Sequence, residues 1–201
     1  MAKADVNLVE LFKEIQTAVV TVITYDKDKK LLGQASGFFV DRKGNLVTNH
    51  HVLEGAWSAK VRAFDGKEYP VKLVVAEKEE ADLVKVLVDI PENAVEFVQV
   101  AKIIPEVGER VLVVGSPMGL EQTVSEGIVS AIRDIPTIGK IFQISAPLFP
   151  GSSGSPVLNM KGEVVGVTTY QVIELQNLNF AVSGEQVLRL KSGRKGNLEP
   201  L

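Results

Sequence analysis

From about residue 17 to about residue 190 the chain is a succession of short segments rich in β-branched residues, each closed by a turn signal. In the first half these are residues 18–25, 34–40, 46–49, 59–64, 71–76 and 83–88, punctuated by Asp26-Lys27-Asp28, Lys43-Gly44-Asn45 and Asp65-Gly66. Turn residues recurring at such short intervals leave room for strands and not for packed helices. Residues 110–115, 123–132, 140–144, 157–159, 163–169 and 178–182 repeat the texture in the second half. The expected fold class is therefore all-β, as two packed six-stranded antiparallel β-barrels. Short helices flank them: Val6, Val9, Phe12 and Ile15, or Leu8, Leu11 and Ile15, fall at helical spacing near the start, and Ser183-Gly184-Glu185-Gln186 has the spacing of a capping box near the end. The organisation expected is an N-terminal helical segment over 1–16, barrels over 17–100 and 101–190, and a frayed tail or linker stub over 191–201.

Composition narrows the function. A chain of 201 residues with 45% apolar content buries a sizeable core. The net charge is -3, with no dense Lys/Arg cluster interleaved with aromatics, so no nucleic-acid partner is expected. Cysteine is absent, which removes disulfides, thiol nucleophiles and Cys-ligated zinc together. The opening Met1-Ala2-Lys3-Ala4-Asp5 is polar, and no apolar run approaches the ~20 residues of a membrane-spanning helix, so no membrane contact is expected from this chain. Its compartment is expected to be the cytoplasm, or the periplasm or another extracytoplasmic site if an export signal has been removed. The apolar run Val111-Leu112-Val113-Val114-Gly115 enters a glycine-bearing loop, but lacks both the G-x-G-x-x-G and the Gly-Lys-Ser/Thr of nucleotide sites.

The chemistry concentrates in few residues. The only two histidines are adjacent, His50 and His51, and Gly151-Ser152-Ser153-Gly154-Ser155-Pro156 lies far downstream. A serine hydroxyl is a poor nucleophile at neutral pH until an imidazole takes its proton, and that imidazole needs a carboxylate to hold its tautomer. Asp82, just ahead of the apolar strand 83–88, is the candidate and is expected to be buried and hydrogen-bonded. Asp89, at the far end of that strand, reads as an exposed boundary residue. Gly151 and Gly154 give the backbone freedom for a tight loop around Ser153, and the N–H groups of Gly151 and Ser153 are the expected oxyanion donors. As an isolated string Gly-Ser-Ser-Gly is equally a surface turn, but apolar strands on both sides and Pro156 argue against a linker. Strand alternation would send His50 and His51 to opposite faces, leaving open which of them is the base.

These residues carry a resemblance. Thr48-Asn49-His50-His51-Val52 is similar to T-N-x-H-V, and Ala81-Asp82-Leu83 to the D-L strand, of the HtrA-like branch of the trypsin-like serine proteases. Gly115-Ser116-Pro117-Met118-Gly119-Leu120, the segment Thr123-Val124-Ser125-Glu126-Gly127-Ile128-Val129-Ser130, Pro150-Gly151-Ser152-Ser153-Gly154-Ser155-Pro156 and Asn179-Phe180-Ala181-Val182 resemble further motifs of that branch. The resemblance spans about residues 17 to 190 in the order base, acid, nucleophile, which is the chymotrypsin order. It implies a chymotrypsin-like fold with His51 as base, Asp82 as its orienting acid and Ser153 as nucleophile. Ser152 replaces the usual Asn and Ser155 a usual Gly, while Ser145, Pro147 and Phe149 are also departures. With Ser152 there, no ion pair to a newly cut N-terminus is available, and loop order must come from other contacts.

The resemblance also implies a first specificity pocket near residues 146–149 and 167–170, including Pro147, Val167, Thr168 and Thr169. No acidic residue lies in either stretch, so small or medium apolar side chains are expected there. The implied activity is endopeptidase hydrolysis of unfolded or extended polypeptides, in the manner of protein quality control, with no metal or organic cofactor. A homotrimer through the N-terminal region is a further implication. The alternative is a protease-fold peptide-binding or chaperone module whose oxyanion loop is never competent.

Overall fold

The computed structural model describes residues 7–116, 122–169, 179–190 and 196, and in it the strand segments close into two antiparallel barrels. The first contains β1 (Val19–Tyr25), β2 (Leu31–Phe39), β3 (Asn45–Thr48), β4 (Ser58–Arg62), β5 (Glu68–Lys78) and β6 (Leu83–Val88), in the order β1-β2-β3-β6-β5-β4. The second contains β7 (Arg110–Gly115), β8 (Thr123–Ile135), β9 (Gly139–Ile144), β10 (Pro156–Leu158), β11 (Val164–Thr169) and β12 (Asn179–Ser183). Its order, β7-β8-β9-β12-β11-β10, repeats that of the first. Closure of β4 onto β1 and of β10 onto β7 leaves neither sheet an open edge.

The strands that read as unbroken apolar runs are those with two buried faces. In β7, Val111 and Val113 point into the second barrel with Val129, Phe142 and Val157. Leu112 and Val114, between them, point into a separate cluster with Val19, Phe38, Val47, Leu158, Val167 and Val182. That cluster draws on both barrels and forms the seam between them. β1 divides in the same way, with Val20 and Val22 inside the first barrel and Val19 at the seam. The two-residue period of a strand thus supplies a barrel core and an inter-barrel core at once.

Helix α1 (Leu8–Ile15) is capped by the Asn7 side chain, which accepts from the Val9 N–H at 3.1 Å, and it buries Leu11 and Ile15 against the seam cluster. At the other end the expected capping box forms only in part. Ser183 accepts from the Glu185 N–H at 3.3 Å, opening the short helix Gly184–Leu188. Gln186 does not reach back to it. Instead its Oε1 takes the Lys78 Nζ of β5 at 2.7 Å, an inter-barrel bond with a buried partner. Of the tail expected over 191–201 only Gly196 lies within the described residues. Its carbonyl accepts the Val74 N–H at 3.1 Å. Among the described residues no helix is long and apolar enough to cross a membrane.

Phe38 is 0% exposed in the seam. Replacing it with Ala should cost about 3–5 kcal/mol. Urea unfolding followed by far-UV circular dichroism should show one transition at a lower midpoint, because the barrels share this core. Two separated transitions would mean that they fold independently.

Candidate active site

The histidines do not lie on a strand. Asn49, with extended backbone (φ -75°, ψ 151°), ends β3 and opens a four-residue helix, α2 (His50–Leu53). The expected strand alternation of His50 and His51 is therefore wrong, since a helical turn separates neighbours by ~100° and not by a half-turn. His51 lines a cleft with Ser153, whereas the His50 ring lies 3.8 Å from the Glu77 carboxylate on β5.

Asp82 ends a 3-10 turn over Glu79–Ala81 in the left-handed conformation, φ +52°. This conformation is uncommon outside glycine, though Asp tolerates it better than most. The turn aims both the carbonyl and the carboxylate of Asp82 at the start of α2. Its carbonyl accepts from the His50 N–H at 3.2 Å and from Asn49 Nδ2 at 2.9 Å. Its carboxylate accepts from the His51 N–H at 3.0 Å, from His51 Nδ1 at 2.8 Å and from the Thr169 hydroxyl at 2.6 Å. Burial pushes the Asp82 carboxyl up, but the hydrogen bonds from the His51 ring, Thr169 and the His51 backbone outweigh it and hold the group below the usual carboxylate value. Because Nδ1 faces carboxylate oxygens, it carries the ring proton, and Nε2 keeps its lone pair.

Ser153 sits on a loop built by hydroxyls. The Ser152 N–H donates to the Phe149 carbonyl at 2.8 Å, and the Ser152 hydroxyl accepts the Phe149 N–H at 3.0 Å. Thr168 Oγ1 donates to the Ser152 carbonyl at 2.5 Å and accepts the Ser155 N–H at 3.1 Å. These are the contacts that order the loop without an ion pair. Gly151 has φ +93°, a conformation that favours glycine, and Gly154 has φ +80°. A Cβ on Gly154 would lie 2.2 Å from the Ser36 carbonyl oxygen. Among the described residues neither the Gly151 nor the Ser153 N–H donates to a protein acceptor, and no hydrogen bond joins the His51 ring to the Ser153 hydroxyl.

The cleft these residues share has a volume of about 250 Å³ and is lined by Thr24, Leu32, Gly33, Gln34, Ala35, His51, Val52, Glu54, Gly151 and Ser153. None of Pro147, Val167, Thr168 and Thr169 lines it. Pro147 is exposed, and its carbonyl takes the Ser125 hydroxyl at 2.8 Å. Val167, Thr168 and Thr169 are buried. Tyr170, the end of the expected pocket stretch 167–170, and residues 117–121, which hold most of the motif 115–120, lie outside the described residues. A larger cavity of about 510 Å³, bounded by Phe12, Arg62, Phe64 and Gln122 among others, contains no histidine. Sequence reasoning missed Ser36 altogether, and it placed Thr169 in the specificity pocket without its bond to Asp82. Both lie on strands, where no local signal shows what a hydroxyl faces.

Two like barrels, one holding an imidazole against a buried carboxylate and the other a serine on a glycine loop, define a class of peptidase fold. Residues 35–167 match the family model of the trypsin-like peptidase domain, and the chain belongs to that family. Within it the likeness is to the HtrA type. The chain is 37% identical over 164 residues to HhoB of Synechocystis sp., named as a serine protease, across 77% of this chain and 38% of HhoB. It therefore spans well under half the length of that relative. The crystal structure of the serine endoprotease from Yersinia pestis superposes with a TM-score of 0.77 at 26% identity, covering 93% of this chain and 66% of that one. AlgW, an HtrA-type protease solved with a tripeptide, superposes with a TM-score of 0.79 at 25% identity, covering 92% and 62%.

Because Asp82 is held below its usual value, the stability it contributes is complete above the ordinary carboxylate value and is lost as pH falls through the lowered one. Wild type should exceed Asp82→Asn in thermal midpoint at pH 7, and the gap should close on acidification below about pH 4. Thr169→Val, lacking one donor to the carboxylate, should lose stability at a higher pH than wild type. Thermal melts across pH 2.5–7, about the range over which carboxylates titrate, read both.

Proposed function

We propose that the chain is a serine endopeptidase working by acyl transfer, with His51, Asp82 and Ser153 as the catalytic residues and the Gly151 and Ser153 N–H groups as the oxyanion hole. One observation carries the reading: His51, oriented by a saturated buried carboxylate, faces the same cleft as a serine flanked by two uncommitted backbone donors. Ser153 Oγ attacks the scissile carbonyl carbon as its proton passes to His51 Nε2, and the carbonyl oxygen becomes an anion held by the two N–H groups. The imidazolium then protonates the leaving nitrogen as the C–N bond breaks. Water, deprotonated by His51, releases the acid and restores the serine. Asp82 stabilises the imidazolium without accepting its proton. The His51–Ser153 hydrogen bond that this requires forms as substrate excludes water, since such bonds are commonly open in a free enzyme.

Unfolded or extended polypeptides are the proposed substrates, in an HtrA-like quality-control role. The assignment of Pro147, Val167, Thr168 and Thr169 to the first specificity pocket is supported by the lack of an acidic side chain among them, which favours small or medium apolar residues before the scissile bond. A homotrimer through the N-terminal segment is supported by Val9, which is 62% exposed on α1. Sedimentation velocity at rising concentration reads it. The open His51–Ser153 geometry favours one alternative, a peptide-binding or chaperone module with an incompetent oxyanion loop.

A fluorophosphonate probe separates the two readings. Wild type should be labelled, and Ser153→Ala and His51→Ala should not. Absence of labelling in wild type, with extended peptides still bound, would establish the binding module. Asp82→Asn should lower kcat by about 10⁴-fold through the wrong imidazole tautomer. In peptide-library cleavage, Lys or Arg preferred before the scissile bond would overturn the pocket assignment.

A further inference from the structure

Ser36, on β2 of the first barrel, is 0% exposed, and its backbone and side-chain polar groups are all used. Its N–H donates to the Ser153 carbonyl at 2.9 Å. Its hydroxyl donates to the Gly151 carbonyl at 2.9 Å and accepts the Ser116 N–H, at the end of β7, at 3.0 Å. Its carbonyl accepts the Thr48 hydroxyl at 2.7 Å. Among the described residues no other side chain of the first barrel hydrogen-bonds to the loop 149–154.

The two residues assigned as oxyanion donors therefore have their carbonyls fixed by one residue from the opposite barrel. This matters most for Gly151. With no Cβ and φ +93°, its backbone is little restrained by sterics, so its orientation has to come from hydrogen bonds. Its N–H is uncommitted, and the peptide unit that follows it is held at both ends, the carbonyl by the Ser36 hydroxyl and the Ser152 N–H by the Phe149 carbonyl. The Ser152 hydroxyl and carbonyl are held by Phe149 and Thr168, so only the Gly151 carbonyl depends on the opposite barrel for its side-chain partner.

We propose that Ser36 is a positioning residue for the oxyanion hole, its hydroxyl holding the Gly151–Ser152 peptide and so restricting how far the adjoining Gly151 N–H can turn. The inference rests on the assignment of Gly151 and Ser153 made above. Removing the hydroxyl takes away one of the two hydrogen bonds that hold the Gly151–Ser152 peptide and orphans the buried Ser116 N–H. The Ser36 N–H, and with it the hold on Ser153, survives. The loss should therefore fall on the transition state, where negative charge develops, and not on substrate binding.

The experiment compares Ser36→Ala with wild type, with competent sites counted by fluorophosphonate titration so that kcat is expressed per titrated site. Per-site kcat should fall roughly 10- to 100-fold. KM should stay within about twofold, as for an interaction made only in the transition state. A peptide aldehyde, whose hemiacetal oxygen occupies the oxyanion position, should inhibit more weakly by a similar factor. Ser36→Cys, near in size and with a weak S–H donor, should recover part of the rate. Unchanged per-site kcat with fewer titratable sites would show a merely structural role and overturn the proposal. If Ser36→Ala does not fold, Ser36→Cys decides: wild-type per-site kcat overturns the proposal, and an intermediate loss supports it. A wild type that is not labelled, or a Ser153→Ala variant labelled equally well, would overturn the assignment of Ser153 and the Ser36 role with it. Normal labelling with an indifferent Ser36→Ala would overturn the Ser36 role alone.

Discussion

The left-handed backbone of Asp82 is the constraint from which the order of the site follows. At φ +52° the chain leaves its 3-10 turn with carbonyl and carboxylate both facing α2, so one residue takes the backbone N–H groups of His50 and His51, the Asn49 amide and the imidazole. The conformation costs about 1–2 kcal/mol. Hydrogen bonds to an ionised group contribute about 1.5–3 kcal/mol each, so the bonds to the carboxylate outweigh that strain. The same bonds keep the carboxyl ionised although it is only 6% exposed. Strain, burial and charge are thus tolerated together, and none of the three would be stable without the donors of α2.

A second level of order lies across the seam. Apolar residues of both barrels fill it and supply the attraction, but hydrophobic contact is non-directional and does not fix an angle between two rounded surfaces. Hydrogen bonds supply the angle. Thr169 of β11 reaches Asp82, Ser36 reaches Gly151 and Ser116, and Lys78 of β5 reaches Gln186. The first two end on groups of the proposed site, while Gln122 Nε2 on the Val19 carbonyl and Lys85 Nζ on the Leu190 carbonyl also cross the seam, away from it. The proposed base and acid, His51 and Asp82, belong to one barrel and the proposed nucleophile, Ser153, to the other, so any rotation across the seam would separate them. The bonds to Asp82 and Gly151 oppose that rotation at the site itself.

The fold was legible because strand content is a property of local pattern. Alternation, turn residues and the doubled apolar faces of β1 and β7 are all present within a few residues of each position. The placement of His50 and His51 was not legible in that way. A four-residue helix is shorter than any period it could display, and its existence depends on Asp82, 31 residues away from His51 in sequence. Ser36, and the bond from Thr169 to Asp82, escaped for a related reason: a hydroxyl on a strand carries no mark of what it faces across a seam. Gln186 fitted a local capping pattern and was taken instead by a lysine 108 positions away. In each case a long-range partner outcompeted the local one.

Ser155 shows what such competition leaves behind. Its N–H is bound by the Thr168 hydroxyl and its carbonyl by the Thr168 N–H, which fixes the direction of its side chain toward β7. There it meets Gly115, where an added Cβ would lie 2.3 Å from the Ser155 hydroxyl oxygen. The glycine makes room for the hydroxyl, and at 0% exposure Ser155 Oγ has no hydrogen-bond partner among the described residues. An orphaned buried hydroxyl costs about 1–3 kcal/mol. It lies two residues beyond Ser153 and against the strand whose continuation, Ser116, is bound by Ser36. The unfavourable group is therefore packed among the elements that orient the nucleophile loop, where the backbone bonds to Thr168 leave Ser155 no freedom to turn its hydroxyl toward solvent.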